Sequence, residues 1–190
     1  MTMTTKPETD VSIVVANEVR EWHFHIYFRQ KNASEHHAAL ELRDAVLRLC
    51  RDGAFVAVPL FRVNTEPMGP HPVGSYEIWV PAESFSSVFS FIALNHGQLS
   101  VLVHPLTLDE REFGITADHE HRNAWIGPPF PLDLSALPEK ASSVPLQYPS
   151  LRMGYSTNVP PLTMEQRKKI GANVTHLLSK EKLAARPPIW

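Results

Sequence analysis

An α+β fold, built on an antiparallel sheet with two helices on one face, is what the hydrophobic pattern of this 190-residue chain predicts. Two observations predict it. Apolar residues recur at every second position in some segments and at every third or fourth in others, and these segments follow one another in the order β-α-β-β-α-β.

Residues 22–28 read WHFHIYF, which puts Phe24, Ile26 and Phe28 on one side of a strand and His23, His25 and Tyr27 on the other. Residues 34–50 carry Ala38, Leu42, Ala45, Val46 and Leu49 at helical spacing, with Gly53 as a stop. Cys50, near that apolar stripe, reads as a core residue rather than a nucleophile. Two β-branched and aromatic runs, 54–63 and 76–80, flank a breaker-rich loop from Pro67 to Gly74 that Pro67, Pro70 and Pro72 stiffen. A second helix over 84–95 aligns Phe85, Val88, Phe89 and Ile92 and ends near Gly97, and an apolar strand over 99–103 is closed by His104-Pro105. This order is the ferredoxin-like, or split βαβ, arrangement. Its second sheet face needs cover from a second subunit, the loop after the last strand or the C-terminal segment, and a homodimer is the economical expectation.

Three segments result: a tail over 1–19, a folded domain over 20–138, and an extension over 139–190 expected to wrap the core. Val11 to Val15 reads as part of that tail or as a strand added to a sheet edge or to a partner subunit. In the extension, Thr163 and Gln166 form a capping-box signature for a helix ending near Leu178, with His176 on its surface. A net charge of -2 without any basic run argues against a nucleic-acid partner. With no signal-like N-terminus, no membrane-spanning apolar stretch and a single cysteine, the expectation is a soluble, cytoplasmic protein.

The histidines are concentrated between residues 23 and 121, beside turns or in alternating strands. Neutral imidazole is the commonest ligand for transition metals, so their placement points to a metal site. By alternation, Ser100, Leu102 and His104 face one way, and His104 can share the face of His25. His71 stands between two prolines, which lowers the entropy cost of presenting a ligand. Asp118-His119-Glu120-His121 offers carboxylates and imidazoles, and one carboxylate with two histidines would make the facial triad of non-haem Fe(II) sites. Asp118 and Glu77 are the candidates for that carboxylate, and an all-histidine site is the alternative. His36 and His37 read as solvated helix residues, and His96 as a helix C-terminal residue.

The ordered set His25-Ile26-Tyr27-Phe28, Gly69-Pro70-His71-Pro72, Leu99 to Pro105, Asp118-His119, Trp125-Ile126-Gly127 and Pro131 to Leu134 resembles the DOPA 4,5-dioxygenase family over about residues 20–138. The chain departs from that family's frequent D-H-T in having Glu120 after His119. The resemblance implies a ferredoxin-like fold and a non-haem Fe(II) enzyme that uses O2 to open the catechol ring of L-DOPA beside its hydroxyls. The product is a seco-DOPA that cyclises toward betalain or muscaflavin pigments. On that chemistry His25, His71 and His104 lead as metal ligands, and His119, His23 or Tyr27 would move protons, His119 first among them. The other reading is a non-catalytic or zinc-binding ferredoxin-like dimer that takes up a small molecule.

Overall fold

The computed structural model describes residues 6–107, 117–137, 146–157 and 162–185. Its elements are α1 (Val11–Ala16), β1 (Glu21–Phe28), α2 (Ala33–Arg51), β2 (Val58–Pro59), β3 (Gly74–Pro81), α3 (Phe85–Asn95), β4 (Ser100–Leu106), β5 (Ala124–Ile126) and α4 (Met164–Leu178). They fall into two compact units, one of residues 17–157 and one of residues 1–16 with 158–190. Among the described residues no helix is long and apolar enough to cross a membrane.

The larger unit is an α+β structure on one open antiparallel sheet, ordered β2-β3-β1-β4-β5. β1 lies in the middle, bonded to β3 on one side and β4 on the other, so both of its faces are buried. Phe24, Ile26 and Phe28 join Ile78, Val80, Val101 and Val103 in the main core, against Ala39, Leu42 and Val46 of α2 and Val88 and Ile92 of α3. Each of the Val, Leu, Ile and Phe side chains among them contributes about 1.5–3 kcal/mol on burial. Asn32 fixes the start of α2 by accepting bonds from the backbone of Ser34 and Glu35, and the chain leaves the helix through Asp52.

Residues 146–157 of the same chain pack on the opposite face. There Trp79 and Leu106 meet Tyr148, Met153 and Tyr155. The buried Glu21 carboxylate accepts from Trp79 Nε1 and from the Tyr155 backbone, both at 3.0 Å. Gly154 is required for this approach, because its φ is 61° and a Cβ there would stand 2.5 Å from Glu21 Cγ.

Several sequence expectations are corrected. The run 54–63 yields only the two-residue β2, because Pro59 has no amide donor and confines the strand to the sheet edge. Beyond it the chain stays extended, with Leu60 N bonding Glu77 O at 2.8 Å and Asn64 bridging Ser75. β4 does not stop before His104-Pro105 but runs through them to Leu106, past the end of its pairing with β5, where a proline is tolerated. β5 itself had no periodic signal. Val11–Ala16 is helical rather than a strand, because the Asp10 carboxylate caps the amides of Ser12 and Ile13. Cys50 is half-buried and outside the core, while His36, expected in solvent, stacks on Phe28 with ring centroids 4.7 Å apart. The capping box at Thr163 and Gln166 is present, α4 follows it to Leu178, and His176 is exposed.

Candidate metal centre

The alternation that buries Phe24, Ile26 and Phe28 turns His23, His25 and Tyr27 toward the face away from the helices. Across the ladder His23 is directly opposite His104, and His25 is opposite Leu102, so His25 and His104 are diagonal neighbours. Two further imidazoles come from loops. His71 closes a tight turn in which Met68 and His71 exchange backbone bonds of 3.0 and 3.1 Å around Gly69-Pro70, with Gly69 at φ 58°. His119 sits on the helical turn 117–120, whose Asp118 carboxylate accepts from Thr107 N at 3.0 Å and Arg122 Nη1 at 3.2 Å. Asp118 therefore ties that turn to the end of β4.

Five rings converge. Centroid separations are 4.4 Å for His25–His71, 5.1 Å for His25–His104, 5.5 Å for His25–His119, 4.0 Å for His104–His119 and 5.3 Å for His23–His104. Two overlapping sets, His23/His25/His104 and His25/His71/His119, each bring three ligand atoms within 4.8 Å of one another. His25 belongs to both.

Burial holds His25 and His104 well below the ordinary histidine range, with neighbouring imidazoles adding to the effect, and the same causes push His71 down to about 4. These rings are therefore neutral at pH 7 and carry lone pairs. Each has a fixed orientation. His104 Nδ1 must donate to the Pro105 carbonyl at 2.9 Å, which leaves Nε2 as the lone-pair nitrogen, 3.0 Å from His25 Nε2. Two imidazole nitrogens about 2.1 Å from one ion and at right angles to each other are themselves about 3.0 Å apart, so this pair fits a shared metal ligation. Tyr27 Oη lies 2.7 Å from His71 Nδ1, and burial raises the phenol far above its usual range, so it stays protonated. His23 Nε2 donates to Gln147 Oε1 at 2.9 Å, which leaves its Nδ1 as the nitrogen able to ligate.

Neither expected carboxylate joins these sets. Asp118 is fully buried but committed to Thr107 and Arg122. Glu77 stands beside His23, 3.3 Å from its Nε2, and accepts from Gln147 Nε2 at 2.9 Å. His119, expected to move protons, lies among the candidate ligands. Gln147 was not anticipated, since it comes from a Pro- and Ser-rich stretch without period. Of the remaining histidines in the larger unit, His96 bonds the Leu99 carbonyl, and His37 and His121 pair with surface glutamates. A cavity of about 230 Å³ opens beside the cluster, lined by His25, His71, Glu77, Leu60, Arg62 and Asn64 among others.

The Dopa 4,5-dioxygenase family profile matches residues 22–136. The chain is 63% identical over 187 residues to a protein of Amanita muscaria named DOPA 4,5-dioxygenase, covering 98% of this chain and 80% of that one. It is 38% identical over 115 residues to an uncharacterized 21.2 kDa protein of Botryotinia fuckeliana, covering 58% of this chain and 60% of the relative. Its structure is similar to the crystal structure of a proposed dioxygenase from Nostoc punctiforme, with a TM-score of 0.52, 27% identity, and coverage of 62% of this chain and 90% of the other.

Proposed function

The chain belongs to the Dopa 4,5-dioxygenase family, and we propose that it is a non-haem iron dioxygenase that opens the ring of L-DOPA or a related catechol with O2 by extradiol cleavage. The observation that carries this reading is the convergence of neutral imidazoles beside a cavity, in a chain so similar to a protein of that name. We also read the strand order as the split βαβ arrangement with β5 appended.

His25, His71 and His119 would hold Fe(II), with His104 as a fourth imidazole against His25. When bound, the ion supplies Lewis acidity to the catechol oxygens and a place for O2 next to the ring. The chain's own work is to keep these rings neutral and aimed. Burial does the first, and the Pro105 carbonyl, the Tyr27 hydroxyl and the Asp118 anchor do the second. His23, held between Gln147 and Glu77, can take a proton, while the Tyr27 phenol, which stays protonated, holds His71 through Oη. Trp125 and Phe130 lie against the Tyr27 ring and limit water there.

The test is anaerobic loading with Fe(II) followed by oxygen uptake on adding L-DOPA. Stoichiometric uptake with a yellow ring-opened product is expected. No uptake with any catechol would contradict the reading.

A further inference from the structure

Outside the imidazole cluster, the cavity wall carries two polar groups that the chemistry above leaves unused. Residues 60–64 run extended beside β3, and alternation turns Leu60, Arg62 and Asn64 toward the cavity that His25 and His71 also line. Arg62 is exposed and has no ion pair or side-chain hydrogen bond with any described residue. Asn64 is held rigidly by backbone bonds of 2.8 and 3.0 Å to Ser75, and its Nδ2 donates to Ser75 Oγ at 3.4 Å. Its Oδ1 is buried and has no partner among the described residues. A buried acceptor without a donor costs about 1–3 kcal/mol, so the site is built for a ligand that brings an N–H. The carboxylate on the wall, Glu77, is already engaged by Gln147 and faces His23.

The sheet sets the spacing. Tyr27 pairs with Ser75 across β1 and β3, and Ser75 pairs with Asn64, so Asn64 lies two strand spacings, about 9.6 Å, from the strand that carries His25. That is the reach of one aromatic amino acid laid across the sheet with its ring at the histidines.

We propose that Arg62 and Asn64 form the recognition site for the α-amino-acid end of the catechol, with the Arg62 guanidinium taking the carboxylate and Asn64 Oδ1 accepting from the ammonium. The assignment deepens the proposed function and rests on it for the placement of the ring. A planar guanidinium suits a carboxylate, and an amide oxygen suits an ammonium where the wall's own carboxylate, Glu77, is engaged elsewhere. The site therefore selects catechols bearing both charges over neutral catechols of similar size.

The experiment is calorimetric binding without O2 to the Fe(II)-loaded chain, with four probes: L-DOPA, 3-(3,4-dihydroxyphenyl)propanoate, dopamine and 4-methylcatechol. Arg62→Ala should weaken L-DOPA and the propanoate by at least about tenfold, the scale of one charged hydrogen bond, and leave dopamine and 4-methylcatechol within about twofold. Arg62→Lys should recover part of the loss. Asn64→Ala should weaken L-DOPA and dopamine and spare the propanoate. Equal losses across all four probes, no change in any, or no L-DOPA binding by the unaltered chain would each overturn the assignment. Because the binding pattern is read without turnover, a chain that discriminates the probes but consumes no oxygen would sink the dioxygenase reading and leave this one standing.

Discussion

His25 and His104 meet through their Nε2 atoms at 3.0 Å, from diagonal positions on neighbouring antiparallel strands. One of the two nitrogens is fixed as a lone pair, because the other nitrogen of His104 is spent on the Pro105 carbonyl. In the proposed metal centre this strand pair would supply one preorganised half, and the loops carrying His71 and His119 the rest. His104→Ala removes that lone pair and leaves His25 without its partner. Retained iron after desalting is expected to fall at least tenfold, with far-ultraviolet circular dichroism unchanged. Full iron occupancy in the variant would remove His104 from the site.

Acid should destabilise the metal-free chain. The folded-state pKa values of His25, His71 and His104 all lie below the ordinary 6.5, so the unfolded chain binds their protons first. Their contribution is complete above pH 6.5 and drains away as pH falls, toward about 4 for His71, with His25 and His104 adding to the loss in the same direction. His71 alone accounts for about 3 kcal/mol over that window. Urea midpoints of metal-free protein measured between pH 7 and 4.5 check this, and a flat profile would contradict it.

Asp118 acts by position. Its carboxylate holds Thr107 N and Arg122, and so fixes the turn that presents His119. Asp118→Ala strips the part-buried Thr107 amide of its acceptor and should cost about 1–3 kcal/mol in urea unfolding. A variant that keeps its stability but loses its metal would instead make Asp118 a ligand.

Tyr27→Phe deletes the hydroxyl 2.7 Å from His71 Nδ1 and keeps the ring against Trp125 and Phe130. Stability should change by about 1 kcal/mol or less, while kcat falls at least tenfold because His71 loses the bond at Nδ1 that orients its ring. An unaltered kcat would take Tyr27 out of the site.

What the sequence revealed follows from where the chain has a period. The WHFHIYF alternation fixes the sides of His23, His25 and Tyr27, and the same rule places His104 with them and Val101 and Val103 in the core. The prolines around His71 mark a stiff loop, and the loop does deliver its ring to His25. Positions without a period were illegible. Asp118 has the chemistry of a ligand, and only the fold shows that Thr107 and Arg122 claim it. Gln147 reaches His23 across 124 residues, a separation that no local pattern encodes. Val11 to Val15 has strand-forming residues, but the Asp10 cap just before it decides for helix.

X-ray absorption at the iron K-edge of the Fe(II)-loaded chain tests the central claim most directly. A shell containing at least three imidazole nitrogens near about 2.1 Å, perturbed when L-DOPA is added without oxygen, is the expected result. A shell of oxygen ligands with no imidazole scattering would contradict a centre built on His25, His71, His104 and His119.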